Sequence, residues 1–347
     1  MDENIFDLSN FNYTFPRELI AQEPLKAREK ARLLIIDRNK KGGFREIVFK
    51  DIINFLNKGD ILVLNNTKVI KARLSAKRIT GAKVEILFLS ERKKGLWEVL
   101  VKPGKRARVG DVLCFEGGVK GKVIARTVDG TRLIEFSPYR AKFLIETYGQ
   151  VPLPPYIEKE LNEEDLYQTV FAEKEGAVAA PTAGFHFTPS LLEKIKNKGI
   201  EIVYVTLHCG LSTFRPVKTQ DIRDHPMGEE AFEVSRKTAL IINQAKDEKR
   251  RIIAVGTTAI RTLESASTVK GNRITLIPQI NSTSLYIYPG YKFKIVDALV
   301  TNFHTPASTN LILISTFCGK DLIKKAYTYA MEKRFRLFTF GDAMLVI

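Results

Sequence analysis

Apolar and polar positions follow two different rhythms along this chain. Between residues 66 and 145 short alternating runs succeed one another with turn signals between them: ARLSAKR, KVEILFLS, LWEVLVKP, DVLCFEGG and KGKVIARTVDGTRLIEF. No helical period occurs there, and a spacing of about ten residues predicts a small antiparallel β-barrel. Outside that segment, helical spacings and continuous apolar runs are mixed. Pro16 to Ile20 predicts a short helical turn and Leu33 to Asp37 a strand, and IINFLNKGDILVLN predicts a helix, a Gly59-Asp60 turn and a second strand. A helix, YRAKFLIETYG, and a proline-rich crossing, VPLPPYI, close the barrel segment and fit a domain boundary.

The stretch Gly176 to Val217 predicts strand, polar loop, helix, strand and polar loop. Ala177 to Ala180 is an apolar run, and PTAGFHFT (181–188) follows, broken by Pro181 and Gly184. Thr188 is a helix N-cap with Pro189 at the first helical position, Leu191, Leu192 and Ile195 recur at helical spacing, and Gly199 fits the stop. Ile200 to Leu207 is a buried strand, and His208 to Pro216 is loop. Such a unit sets both loops at the carboxyl ends of neighbouring parallel strands, where open α/β sheets bind ligands. Farther on, Arg251 to Val255 predicts a strand before GTTAIRTLES (256–265). Lys294 to Val300 predicts another before TNFHTPAST (301–309) and the apolar helix LILISTFCG. RFRLFTFGDAMLVI predicts strand, Gly341-Asp342 turn and strand. The fold class is therefore α/β in two domains, an α/β core of residues 1–65 plus 146–347 with an inserted antiparallel β-barrel of residues 66–145.

Charge sharpens this division. The 347 residues carry a formal net charge of +16, but Lys68 to Arg126 alone holds sixteen Lys and Arg against five Asp and Glu, leaving +5 for all the rest. A concentrated excess points to a polyanionic partner, nucleic acid first. Its densest cluster, KPGKRAR, places Lys102, Lys105, Arg106 and Arg108 as candidate phosphate contacts. A solvated edge that discourages sheet aggregation is the alternative. Cys114, Cys209 and Cys318 form no CxxC pair, which fits a reducing cytosol and argues against a disulfide frame or zinc site. The start lacks the apolar segment of a signal peptide, and no apolar run approaches a membrane span, so a cytoplasmic protein is expected.

No P-loop, GxGxxG, HExxH or GxSxG occurs. The four histidines all lie at or beyond residue 186. His186, His208 and His304 each sit in a polar loop after a candidate strand, without metal-ligand spacing, so no metal is expected. Gly256, Thr257 and Thr258 open a helix, so their N–H groups and hydroxyls face whatever lies beyond the strand end, with Arg261 one turn on. The residues thus predict a pocket rich in Thr, His and Arg; they do not name the reaction.

At these loops the chain resembles the S-adenosylmethionine:tRNA ribosyltransferase-isomerase family of the queuosine pathway. The matching stretches run from IAQEPLKAREKARLLIIDR through LVLNNTKVIKARL, VKPGKRARVGD, PPYI, YQTVFAEKEGAVAAPTAGFHFT, VTLHCGLSTFRPV, AVGTTAIRTLES and YIYPGYKFKIVDALVTNFHTPAST to FGDAML, and PTAGFHFT with TFRPV is the most specific combination. Gly228 stands where the family has a second His, Asn66 where Asp is usual, and Thr305 and Ala307 alter the NFHLP-x-ST pattern, so no role is carried over there.

The resemblance implies ribosyl transfer and isomerisation from S-adenosylmethionine, used as substrate with no other cofactor, onto 7-aminomethyl-7-deazaguanine in tRNA. The products are epoxyqueuosine-tRNA, adenine and methionine. The implied partners are tRNAs reading Asp, Asn, His and Tyr codons at the first anticodon position, with no membrane and a monomeric enzyme. The sulfonium acidifies the ribose C5′ proton, so His186, His208 or Asp342 could remove it. Thr182, Thr257 and Thr258 suit ribose hydroxyls or the methionine carboxylate. Arg215 and Arg261 could pair with that carboxylate or with a phosphate, although an intramolecular salt bridge is the alternative for Arg261. Pro181, Gly184, Thr213, Asn302, His304 and Ser308 complete the expected substrate site.

Overall fold

Continuous apolar runs build the centre of a nine-stranded mixed sheet. Across the sheet the strands are Gln279–Thr283, Glu230–Val234, Glu201–Leu207, Ile61–Asn65, Ile252–Val255, Ala298–Asn302, Ala343–Val346, Arg32–Ile36 and Phe44–Val48. The four from Glu201–Leu207 to Ala298–Asn302 are mutually parallel. Of these, Ile61–Asn65, Ile252–Val255 and Ala298–Asn302 are buried at every position, as expected where helices cover both faces. Antiparallel strands finish each side of the sheet. On one face Leu62, Leu64, Ile253, Val255, Val300 and Leu345 pack with Phe49, Ile52, Phe187, Leu191 and Ile195. Each such aliphatic side chain contributes roughly 1.5–3 kcal/mol by leaving water.

The computed structural model describes residues 4–40, 43–128, 130–159, 161, 163–210, 216–271 and 273–347. Its chain divides into two compact units. One comprises Met1–Lys68, Pro154–Glu175 and Ala180–Ile347 and holds the large sheet; the other comprises Val69–Leu153 and Gly176–Ala179.

The second unit is a closed antiparallel barrel of six strands, in the order Arg132–Phe136, Leu96–Lys102, Lys83–Lys93, Arg73–Arg78, Val112–Cys114 and Lys120–Arg126. Alternation explains it. Leu74, Ala76, Val84, Ile86, Phe88, Val99, Val101, Val123, Ile134 and Phe136 fill the interior, while lysines and glutamates between them face out. Gly121 is needed inside, because a Cβ there would lie 2.6 Å from Ile134 and 2.9 Å from Phe136. The helix Ala141–Tyr148 adds Ala141, Leu144 and Ile145 to the same core.

Local signals around residue 188 act as the sequence predicts. The Thr188 hydroxyl accepts the Leu191 N–H at 3.2 Å and starts the helix Pro189–Asn197, and Gly199 takes φ +84° behind it. Three expectations change. Ala177 to Ala180 contributes no strand to the large sheet: Ala177 ends a short strand, Lys174–Ala177, that pairs elsewhere, and residues 178 and 179 form a bend. The parallel neighbour of Glu201–Leu207 is instead Ile61–Asn65, whose longer β-branched run suits a central position better than four small residues before a proline. The strand expected from Lys294 starts at Ala298, because the buried Glu264 carboxylate takes the N–H groups of Lys294, Ile295 and Val296 at 2.9, 3.0 and 3.3 Å. Arg334 to Phe340 is not a strand. Asp342 holds the Arg336 N–H at 2.8 Å, Phe338 takes φ +70°, and Leu337 keeps only a single bridge to Ile20.

Candidate active site

Two parallel strands of the large sheet end side by side, and the chain behaves alike after each. Ile252–Val255 runs into Gly256, whose N–H bonds the Val300 carbonyl at 2.7 Å and whose φ of +87° turns the backbone into the helix Thr257–Ser265. Ala298–Asn302 runs into 303–308, where Ser308 caps the helix Thr309–Cys318 by accepting the Leu311 N–H at 3.2 Å. Both helix N-termini open on one pocket of about 260 Å³, lined also by Pro181, Thr182, Tyr156, Asn302, His304, Phe338 and Thr339. The first-turn N–H groups of a helix have no intrahelical acceptor, so such ends favour anionic or polar ligand groups.

Asn302 organises the pocket floor. Its Nδ2 donates to the Phe338 carbonyl at 3.1 Å and lies 3.4 Å from His186 Nε2, and its Oδ1 accepts from the Thr182 hydroxyl at 3.3 Å. The carbonyl it holds belongs to a residue at φ +70°, a costly conformation for an aromatic side chain that the surroundings must enforce. Phe15 packs edge-on to the Phe338 ring at 5.0 Å and Tyr156 lies at 5.1 Å, with the Tyr156 hydroxyl 2.8 Å from Thr339 Oγ1. Burial pushes the Tyr156 phenol up to about 12, so it stays protonated.

His304 is held from three sides. Its N–H donates to the Tyr327 hydroxyl at 2.8 Å, its carbonyl accepts from the Tyr13 hydroxyl at 2.5 Å, and its Nε2 lies 2.8 Å from Thr301 Oγ1. Nδ1 has no hydrogen-bond partner among the described residues. Burial lowers the ring's pKa to about 3, so the imidazole is neutral. Thr258 Oγ1 is buried without a partner among the described residues. No Asp, Glu, Lys or Arg lines the pocket among the described residues; its titratable groups are His304 and Tyr156.

The sequence-derived candidates divide by position. Pro181, Thr182, Thr257, Thr258, Asn302, His304 and Ser308 come together on the pocket wall. His186 lies behind Asn302, fully enclosed, its ring 4.8 Å from that of Phe49, and desolvation takes its pKa to about 3. Gly184 is packed where a Cβ would come within 2.7 Å of Phe171 and 2.9 Å of Thr169. His208 is half-buried, with Nδ1 2.8 Å from Thr67 Oγ1, and burial and Lys174 lower its pKa.

Arg261 does not reach the pocket. Its guanidinium forms a buried ion pair with Glu230 and donates to the Leu285 carbonyl at 3.0 Å, which is the intramolecular alternative for this residue. Asp342 accepts the backbone N–H groups of Arg32 and Arg336 at 2.9 and 2.8 Å, and burial raises its pKa. Thr213 and Arg215 lie outside the described residues. Lys102, Lys105, Arg106 and Arg108 are exposed on the barrel unit, in and around the turn Gly104–Arg106.

Sequence reasoning missed Tyr156, Phe338 and Thr339. The first sits in the proline-rich crossing and the others in a segment with the alternation of a strand, so aromatic residues beside Pro and before Gly-Asp were the signal available. Among the described residues no group of three His, Cys, Asp or Glu could hold a metal ion, and no helix is long and apolar enough to cross a membrane.

A family model described as a queuosine biosynthesis protein matches residues 8–346. S-adenosylmethionine:tRNA ribosyltransferase-isomerases from Desulforamulus reducens and Clostridioides difficile are 48% and 47% identical to the chain, over 98% and 97% of it and 99% and 98% of their own lengths. The crystal structure of S-adenosylmethionine tRNA ribosyltransferase from Thermotoga maritima, 36% identical, covers 97% of this chain and 100% of its own with a TM-score of 0.54.

Proposed function

This chain belongs to the family of S-adenosylmethionine:tRNA ribosyltransferase-isomerases of queuosine biosynthesis, and on that premise we propose the reaction it carries out. The ribosyl moiety of S-adenosylmethionine is transferred to the amine of 7-aminomethyl-7-deazaguanine at the first anticodon position of tRNA and isomerised. Epoxyqueuosine-tRNA forms, and adenine and methionine leave. The acceptors are the tRNAs for Asp, Asn, His and Tyr, and the enzyme works in the cytoplasm as a monomer.

The observation that carries this reading is a hydroxyl-rich pocket with two helix N-termini, one neutral imidazole and no charged side chain among the described residues that line it. A carboxylate or ribose hydroxyls fit the Thr257–Thr258 end and Thr182. The faces of Tyr156 and Phe338 suit a purine ring. A sulfonium that meets no carboxylate among the described lining residues is poorly stabilised, which favours loss of the neighbouring C5′ proton. His304 is the basic group this pocket offers, and Thr301 fixes its ring. We assign His186, His208 and Asp342 to positioning: His186 supports Asn302, His208 anchors Thr67, and Asp342 shapes the turn that presents Phe338. Lys102, Lys105, Arg106 and Arg108 contact tRNA phosphates.

One incubation tests the reading. Purified protein is mixed with S-adenosylmethionine and tRNA carrying 7-aminomethyl-7-deazaguanine, and adenine and the tRNA nucleosides are followed by mass spectrometry. Adenine release matched to a mass gain on the modified nucleoside is expected. Folded protein that binds both substrates and releases no adenine would refute the reaction.

A further inference from the structure

Two guanidinium groups of the barrel unit are held by carboxylates. Arg78 bonds Asp111 at 2.7 Å, and Arg92 pairs with Glu98. Arg132 is as deeply placed as any of them, 7% exposed, yet no carboxylate meets it among the described residues. It donates instead to four carbonyls, those of Ala107, Gly104, Gly130 and Thr131, at 2.8, 3.0, 2.6 and 3.1 Å. A guanidinium has five N–H donors, so one on Nη2 remains without an acceptor among the described residues. Its direct cross-strand neighbour is Arg126, also without a carboxylate partner among the described residues. Like charges opposite one another destabilise a strand pair, and a buried charge without a counter-charge is costly. Burial, and then Arg126, depress the Arg132 pKa.

The same two arginines, with Lys105 and Arg108, line a hollow of about 390 Å³ on this unit, and no acidic residue lines it among those described. Arg132 holds the loop that carries Lys105 through the Gly104 and Ala107 carbonyls, so the hollow is a formed feature rather than a chance meeting of long side chains.

We propose that this hollow seats one phosphodiester of bound RNA, with Arg126 and the spare Arg132 N–H as its donors and Lys105 and Arg108 at its rim. Arginine forks match phosphate oxygens in pairs. The anion offsets the repulsion between Arg126 and Arg132 across the strand pair. RNA is favoured over a free anion because the surrounding barrel segment carries the chain's concentrated positive charge. The assignment to RNA rests on tRNA being the substrate.

The test uses the full-length enzyme, filter binding of tRNA across a salt series, and Arg126→Gln, an exposed position that leaves the Arg132 network intact. The expected result is a several-fold loss of affinity and a log–log salt slope lowered by about 0.7–0.9, the contribution of one phosphate contact. Arg126→Lys should restore most of the slope. Lys142→Gln removes the same charge from a residue paired with Glu91 and should leave the slope unchanged. A slope in Arg126→Gln equal to wild type, with wild type binding tRNA steeply, overturns the seat and leaves the enzyme reading standing. Inorganic phosphate that raises the Tm of wild type and not of Arg126→Gln, with tRNA binding unmoved, overturns the RNA assignment in favour of a free anion. Wild type that neither binds tRNA nor releases adenine overturns the substrate reading together with the inference.

Discussion

The pocket of the large sheet and the hollow of the barrel solve opposite electrostatic problems. The pocket brings together hydroxyls, amide groups, helix ends and one imidazole, and keeps its titratable groups neutral by burying them. The hollow collects cations and leaves them without carboxylate partners among the described residues. A site for chemistry on a small polar molecule gains from fixed dipoles that need no reorganisation during the reaction. A site for a polyanion gains from net charge, which the ligand itself neutralises. The contrast teaches that a charge count along the sequence locates the second kind of site and is blind to the first.

The largest effect expected from this contrast belongs to the imidazole. His304→Gln keeps both main-chain bonds to Tyr13 and Tyr327 and removes the base, so kcat for adenine release should fall by ~10²–10⁴, with tRNA affinity within a few-fold of wild type. Unchanged turnover would remove His304 from the chemistry. Next is the buried pair behind the pocket. Arg261→Met takes the guanidinium from the buried Glu230 carboxylate, which also accepts the Gly210 N–H at 2.6 Å, and should cost about 3–5 kcal/mol of stability, read from denaturant unfolding. A folded, fully stable variant with a raised KM for S-adenosylmethionine would instead return Arg261 to the binding site.

Third is pH. The enclosed His186 has its pKa lowered to about 3, against near 6.5 when unfolded. The unfolded chain therefore takes up that proton first as pH falls. The ring's contribution to stability is complete above about pH 6.5 and declines toward pH 3 at roughly 1.4 kcal/mol per unit. Denaturant titrations of wild type and His186→Gln should show the shallower slope in the variant. The smallest effect on chemistry belongs to the barrel: neutralising Lys105, Arg106 and Arg108 together should lower the tRNA salt slope by about 1–2 and leave kcat at saturating tRNA unchanged. A loss of kcat there would blur the division between the two regions.

Much of the architecture was legible because it depends on local pattern. The barrel interior from Leu74 to Phe136 follows alternation along most of its strands, and the helix begun at Thr188 and Pro189 follows capping chemistry that acts within four residues. The wall-forming residues Thr182, Thr257, Asn302 and His304 were legible for a related reason: polar loops placed after apolar strands cluster at a sheet's edge in α/β folds. The reading failed where a distant side chain intervened. Glu264 delays the strand at Ala298, and Asp342 bends Arg334 to Phe340 away from a strand.

By itself, then, the sequence determined the two classes of architecture, the concentration of charge on the barrel and the loops from which a pocket is built, since each follows from the period and type of neighbouring residues. The tertiary structure alone decided which of those loop residues face the same space. Sheet order brings Ile61–Asn65 between strands that lie far away along the chain. Burial decides that Arg261 spends its charge on Glu230 and that His186 stands behind Asn302, while His304 remains at the wall. Such outcomes depend on long-range packing and on which partner satisfies each buried polar group, and neither is written in the spacing of residues.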